Sequence, residues 1–362
     1  MKIGILGTRG IPNNYGGFEQ FAEKLSVGLV QRNHQVWVYA PHNHPYKEET
    51  FEGVQLIRCF DPEYRVGTAG QFIYDYNCIK DARKRSFDVL LQLGYTSSSV
   101  WSRWLPKQSR IITNMDGLEW KRSKYKQAVK RFLKKAEKWA VSSSDYLVAD
   151  SKGIQDYLFK TYNATSTFIA YGAEWIGIPS AGSLEEMQLS KASYDMLVAR
   201  LEPENSIEII LEGVLMANSE RLFLVIGNDK TAYGSYLKAK FESFPKIHFL
   251  GGIYDQQKLN ALRYYSNLYF HGHQVGGTNP SLLEAMACSA LIVAHKNEFN
   301  ASVLGNDGFY FSSSKEVAMH LEKHIKSDNL NRVSNNLEKV KKSYSWEKII
   351  QGYEELFLKA IN

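Results

Sequence analysis

Short apolar runs alternate with amphipathic segments in two successive blocks, and this rhythm is what most constrains the fold of the 362-residue chain. In the first block, residues 2–6, 35–39, 54–58, 89–93, 110–114 and 145–149 read as strands. A helix over residues 17–32 places Phe18, Phe21, Ala22, Leu25, Leu29 and Val30 at steps of three and four, giving one face to pack on a sheet. This is the βαβ pattern of a parallel sheet. After a further strand at 167–170, residues 171–190 carry Gly172, Gly177, Pro179 and Gly182 and predict a linker. The rhythm then restarts, with strands at 196–199, 223–227, 247–250, 268–271 and 291–294 and helices at 206–217, 256–265 and 281–288. A closing segment has Ile349, Ile350, Tyr353, Leu356, Phe357 and Ala360 at helical spacing. The pattern predicts an α/β fold of two similar units. Ligands of such sheets bind beyond the carboxyl ends of the strands, which makes a cleft between the halves the expected active site.

Composition removes several alternatives. With 44% apolar and 23% charged residues the chain is neither disordered nor fibrous. Cys59, Cys78 and Cys288 are far apart and form no C-x-x-C pair, so neither a disulfide framework nor a zinc knuckle is expected, and the compartment implied is the reducing cytosol. Residues 3–7 are too short for the apolar region of a signal peptide and read as a strand. No run approaches the roughly 20 apolar residues of a membrane span.

The net charge of +6 is concentrated. Residues 119–141 hold nine Lys and Arg, among them Lys130, Arg131, Lys134 and Lys135, against Glu119 and Glu137, and the rest of the chain is close to neutral. Here Tyr125, Val129, Phe132, Ala136 and Trp139 fall at spacings of four, three, four and three, which predicts an amphipathic basic helix. Such a helix either packs on a core with a solvated charged face or meets an anionic partner. Flanking aromatics favour lipid headgroups. Nucleic acid is disfavoured by the modest overall charge and the lack of a recognised binding signature.

Three loops carry the candidate chemistry. Gly4, Gly7, Gly10, Gly16 and Gly17 lie where the first strand turns into the first helix, whose free N–H groups suit an anion. A dinucleotide fingerprint is a poor match, because the loop is about ten residues long and the second strand ends Tyr39-Ala40-Pro41 without an acid for a ribose. Asp116 and Glu119, in Asn114-Met-Asp-Gly-Leu-Glu-Trp120, directly follow a strand, where a carboxylate acts as a base, holds a sugar hydroxyl or caps a turn. In the second block Arg200 ends a strand and suits a diphosphate clamp. His271-Gly-His-Gln-Val-Gly276-Gly-Thr-Asn-Pro280-Ser then feeds a helix whose start, with Thr278 and Ser281, suits phosphate oxygens, and Glu284, one turn inside, suits ribose hydroxyls. No third ligand of suitable spacing accompanies His271 and His273, so no metal site is expected.

Taken together, Tyr15-Gly16-Gly17-Phe18-Glu19, Ala199-Arg200-Leu201-Glu202-Pro203 and Pro280-Ser-Leu-Leu-Glu284-Ala-Met-Ala287 resemble the family 4 retaining glycosyltransferases of the GT-B fold. Gly7-Thr-Arg-Gly-Ile-Pro12, Asp116-Gly-Leu-Glu-Trp-Lys-Arg122 and Gly276-Gly-Thr-Asn-Pro280 are similar to a subgroup of bacterial rhamnosyltransferases that build surface polysaccharides. The resemblance implies two Rossmann-like domains. These are an acceptor-binding domain at 1–175 and a nucleotide-sugar domain at 176–345, followed by a helix at 346–362 that returns to the first.

The resemblance further implies an enzyme of the cytoplasmic membrane face that moves a deoxyhexose, L-rhamnose from its dTDP form, to a lipid-linked saccharide, with no cofactor and no metal. UDP- or GDP-sugar donors, or a non-catalytic sugar- or lipid-binding scaffold, are the alternatives. In this picture Arg200 neutralises the diphosphate and Glu284 holds the ribose. Gly276, Gly277, Thr278, Asn279 and Ser281 surround the phosphates, Ile253 meets the base, Asp116 lies near the donor sugar, and Gly16 and Gly17 lie beside the diphosphate. Glu119 and the basic helix face the acceptor and membrane. Retention implies front-face attack, with the leaving diphosphate taking the acceptor's proton. Two positions depart from the family pattern: Gly276 stands where the first glutamate of E-x7-E belongs, and Asn205 or Ser206 replaces a lysine.

Overall fold

The computed structural model describes residues 1–14, 16–122 and 125–362. Tyr15 of the first glycine-rich loop and Lys124 of the basic segment lie outside the described residues. The chain divides into two units, Met1–Gly172 with Trp346–Asn362, and Ala173–Ser345.

Strands β1 (Lys2–Leu6), β2 (Gln35–Pro41), β3 (Thr50–Phe51), β4 (Val54–Cys59), β5 (Val89–Leu93), β6 (Arg110–Asn114), β7 (Tyr146–Ala149) and β8 (Thr167–Phe168) form the first sheet. Its order is β3-β4-β2-β1-β5-β6-β7-β8. All neighbours are parallel except β3 and β4. The central β5 is buried along its whole length, as its Val-Leu-Leu-Gln-Leu run, apolar but for Gln92, requires of a strand covered on both faces. Helix Gly17–Gln31 covers the sheet with Phe21, Ala22, Leu25 and Leu29, while Phe18 and Val30 are half-buried at the edge of that face.

The closing helix Trp346–Ile361 buries the six residues picked out by its periodicity. Its Tyr353 ring lies 5.4 Å from Phe21, edge-on. Glu354 pairs with Arg32 at 2.7 Å and His34 at 2.8 Å, at the far end of the first helix. The last segment of the chain therefore belongs to the packing of the first unit.

In the second unit, β9 (Tyr194–Val198), β10 (Leu222–Ile226), β11 (Ile247–Gly251), β12 (Tyr269–His271), β13 (Ile292–His295) and β14 (Phe309–Phe311) form a parallel sheet ordered β11-β10-β9-β12-β13-β14. Its core includes Leu211, Phe223, Phe241, Phe270 and Phe311. The expected linker spans the boundary between the units and is irregular apart from a bridge at Ala173 and one short helix. Ala173 N–H donates to the Tyr344 carbonyl at 2.7 Å, and a short helix, Gly182–Glu186, buries Leu184. Helices Gly70–Ala82, Ala232–Phe241, Ser314–Lys323 and Leu330–Lys339 were not anticipated from the pattern. The three cysteines are buried free thiols.

Gly172, the last residue before the chain leaves the first unit, lies against Trp346, where the chain re-enters it. A Cβ at Gly172 would sit 2.5 Å from two carbons of the rigid indole. Gly172→Ala is expected to cost about 1–3 kcal/mol of stability by overpacking, read as a lower urea midpoint. An unchanged midpoint would show that Trp346 is not fixed by this contact.

Candidate functional site

In a parallel sheet every strand ends at the same edge, so the loops after β9, β10, β11 and β12 collect there. Arg200 follows β9 and is exposed. Its carbonyl accepts from Glu202 N–H at 2.8 Å and from Asn205 Nδ2 at 2.7 Å. Asn205, in the place expected of a lysine, is buried and holds the backbone beneath Arg200. Ser206, at φ 50°, donates from Oγ to the Gly272 carbonyl and accepts from Gln274 Nε2, each at 2.8 Å. This stitches the β9 loop to the β12 loop, and only glycine fits at 272, because a Cβ there would lie 2.0 Å from the Asn205 carbonyl oxygen.

Beyond it, Gly276 adopts φ 140° with open space beside it, a backbone conformation that L side chains rarely adopt. Gly277 follows, and Thr278 is buried. Asn279 caps helix Pro280–Ala287, its Oδ1 accepting from Ser281 N–H at 3.0 Å. The Ser281 hydroxyl is shared with Tyr269, 2.9 Å away, so its oxygen is tied to β12. Glu284 pairs with Arg263 at 2.7 Å. Ile253 is half-buried just past the end of β11. The structure thus gathers Arg200, Ile253, the 276–281 loop and the start of Glu284's helix at one sheet edge.

His271 is buried and stacks on His273 at 4.4 Å. Burial, with His273 next to it, holds the His271 imidazole well below its usual range and hence neutral. Among the described residues, no group of three His, Cys, Asp or Glu side chains is placed to hold a metal ion.

In the first unit, Gly16 is an extended helix N-cap that brings no capping side chain of its own, and Gly17 opens the helix. Glu19 folds back on the preceding loop, its Oε1 accepting from Arg9 N–H at 2.8 Å and from Thr8 Oγ at 3.3 Å. Arg9 in turn forks onto Glu63 at 2.8 and 3.1 Å. Asp75, beneath the same loop, is pushed up to about 7 by burial, although Ser97 donates to it at 2.5 Å.

Asp116 follows β6 at φ 48°, a left-handed conformation that Asp tolerates better than most residues. Its N–H donates to Asn114 Oδ1 at 2.9 Å, and Asn114 Nδ2 donates to Tyr353 OH at 3.0 Å, so the closing helix braces this turn. Glu119, expected to face the acceptor, is paired with Arg122 at 2.6 Å, a partner three residues away in the same turn.

The basic helix spans Gln127–Ser143 and corrects the expected stripe. It buries Leu133, Ala136, Glu137 and Ala140, whereas Val129 and Trp139 are 40% and 39% exposed. The reason is Glu137. This buried carboxylate accepts from Tyr157 at 2.7 Å, Tyr162 at 2.5 Å, Tyr95 at 3.2 Å and the Trp120 indole at 3.3 Å. Four donors satisfy a group that burial would otherwise penalise heavily. Burial and the bond to Glu137 push Tyr157 up to about 12.

Arg131, Lys134 and Lys135 are exposed and Lys130 is half-buried, and the Lys134 ammonium sits 4.4 Å from the Trp120 ring centroid. Ile73, Val100 and Trp104, on segments adjoining this helix and one another, are also exposed. Among the described residues, no helix is long and apolar enough to cross a membrane.

Sequence reasoning missed Arg263, Glu137 and Asn205. Each works through a partner distant in the chain or through a backbone carbonyl, which no local motif displays.

Residues 191–340 match the family model described as Glycosyl transferases group 1, and residues 1–174 match one described as Domain of unknown function (DUF1972). An uncharacterized glycosyltransferase of Methanocaldococcus jannaschii is 24% identical over 383 aligned residues, covering 96% of each chain. Sucrose-phosphate synthase from Thermosynechococcus elongatus matches with a TM-score of 0.82 at 15% identity, over 99% of this chain and 98% of that one. HepE of Anabaena, in complex with UDP-glucose, matches at 0.74 and 14% identity over 99% and 100% of the two chains. WaaG, a glycosyltransferase involved in lipopolysaccharide biosynthesis, matches at 0.74 and 14% over 99% of each. At these identities the likeness to the solved structures is one of fold, the GT-B architecture expected from the sequence. The matched domain and the fold together support a GT-B glycosyltransferase.

Proposed function

We propose that the chain transfers a deoxyhexose, L-rhamnose from a dTDP-activated donor, to a lipid-linked saccharide at the inner face of the cell membrane, with retention and without a metal cofactor. The observation that carries this reading is the gathering of Arg200, the 276–281 loop and the Pro280–Ala287 helix start at one sheet edge, inside the region that matches Glycosyl transferases group 1. A helix N-terminus and an exposed guanidinium are what a diphosphate needs.

In the transfer, the bond between the sugar's anomeric carbon and the diphosphate oxygen breaks, and the acceptor hydroxyl oxygen bonds to that carbon. The hydroxyl proton passes to the departing diphosphate. Charge accumulates on that diphosphate, so Arg200 and the backbone N–H groups from Gly276 to Asn279 do the electrostatic work. Those N–H groups also take over contacts that the family's first glutamate would make. Asp116, on its braced turn, offers a carboxylate to a sugar hydroxyl, and the helix start at Gly16 and Gly17 offers N–H groups.

A UDP-sugar donor is the second reading, favoured by HepE, which was solved with UDP and glucose. Exposed Val129, Trp139, Trp104 and Ile73 beside Arg131, Lys134 and Lys135 support the membrane face of the proposal, since aromatics and lysines together suit anionic headgroups.

Arg200→Ala removes an exposed side chain that has no hydrogen-bond or ion-pair partner among the described residues. It is expected to lower transfer about 10²- to 10³-fold, the usual effect of deleting one such electrostatic group, with an unchanged circular dichroism spectrum. Unchanged turnover would sink the assignment of Arg200 to the diphosphate. Replacing Lys130, Arg131, Lys134 and Lys135 with Ser is expected to weaken sedimentation with phosphatidylglycerol vesicles at least tenfold, given about 1 kcal/mol per basic residue near such a surface. Equal binding by both proteins would mean that the helix only packs.

A further inference from the structure

Arg263, on helix Gln256–Tyr265, carries its charge into the interior, with a side chain only 1% exposed. Its Nη2 donates to Glu284 Oε2 at 2.7 Å, while Nε and Nη1 are buried without a hydrogen-bond partner among the described residues. The neighbours are not anionic. Tyr269 is buried with its hydroxyl committed to Ser281, and burial pushes the Cys288 thiol up to about 11. Asn260 accepts from Gln256 at 2.9 Å and from the Cys288 sulfur at 3.4 Å. Glu284 is therefore the one carboxylate ion-paired with this guanidinium among the described residues. A buried pair of this kind adds little stability over apolar residues of the same size, so its presence points to orientation of a group rather than to holding the fold.

We propose that Arg263 is a positioning residue that turns Glu284 into a reader of a single hydroxyl. The proposal rests on the reading that Glu284 meets the pentose of the donor nucleotide. A carboxylate with two free oxygens accepts both hydroxyls of a ribose, one on each oxygen. Here Oε2 is drawn toward the guanidinium of Arg263, whose side chain is 1% exposed, and Oε1 has no partner among the described residues on a side chain that is 21% exposed. One available oxygen matches a 2′-deoxyribose, which presents only its 3′ hydroxyl, and the class of donor that fits is a 2′-deoxyribonucleoside diphosphate sugar. Releasing Oε2 would restore a second acceptor and with it a preference for ribose.

The test is calorimetric binding of UDP and 2′-deoxy-UDP, which differ in one hydroxyl, to the full chain and to Arg263→Met, Glu284→Met and the double variant. Wild type is expected to bind the two within about threefold, and Arg263→Met to favour UDP by tenfold or more. Glu284→Met is expected to weaken both equally, and the double variant to match Glu284→Met, because Arg263 acts through Glu284. The double variant leaves no buried charge unpaired. If Arg263→Met alone fails to fold, Arg263→Lys, which keeps the charge but loses the planar fork, carries the same ratio test.

An unchanged ratio in the Arg263 variants, with binding weakened by Glu284→Met, overturns the positioning role and leaves the donor site standing. Wild-type binding of both nucleotides by Glu284→Met overturns the pentose reading itself. A wild type that already favours UDP tenfold contradicts the single-hydroxyl account.

Discussion

Parallel pairing is the constraint on which both units depend. Parallel strands need crossovers, crossovers put helices on both faces, and the strands between them must be largely apolar, as β10 is throughout and β5 is but for Gln92. What remains for chemistry is the edge where the strands end. The groups argued to meet the donor, from Gly16 and Asp116 in the first unit to Arg200 and the 276–281 loop in the second, sit just past the carboxyl end of a strand or at the helix start that follows one. The sheets set where these residues lie, and the loops decide what they do.

Buried polar groups then fix those loops. Glu137 with its four donors holds Trp120 and so the loop after β6, and Asn114 links Asp116 to Tyr353 of the closing helix. Asn205 and Ser206 tie the Arg200 loop to Gly272, and Arg263 holds Glu284. A satisfied buried network is rigid because any departure leaves a donor or acceptor unpaired in a medium of low dielectric. Preorganised groups of this kind stabilise developing charge without having to reorganise as it forms.

The parallel sheets and the closing helix were legible because apolar period carries them. Ile349, Ile350, Tyr353, Leu356, Phe357 and Ala360 recur at helical spacing, and all six are buried. The basic helix was harder. Its most hydrophobic stripe runs through Val129 and Trp139, but the buried side is fixed by Glu137, whose donors Tyr95, Tyr157 and Tyr162 lie 20 to 42 residues away. Asn205 reads as a missing lysine in sequence because its work is done on a carbonyl. The glycines of 171–190 mark the boundary between the units, but nothing local announces that Leu184 within that stretch is buried. Other misses were avoidable: helix Ser314–Lys323 begins with Ser313 capping the Glu316 N–H, a Ser-x-x-Glu signal visible in the chain. In the site, the motifs located Arg200, the glycine-rich loop and Glu284 at strand ends. They did not reveal that Glu284 and Glu119 are both already paired.

The central claim is that the second unit holds a nucleoside diphosphate at its sheet edge. Thermal unfolding in excess dTDP, UDP, GDP and NAD tests it most directly, because a ligand at one hundred times its dissociation constant stabilises by about 2.7 kcal/mol. The account predicts a clear rise in melting temperature with dTDP, a smaller or equal one with UDP, and none with NAD. No response to any nucleoside diphosphate would contradict it.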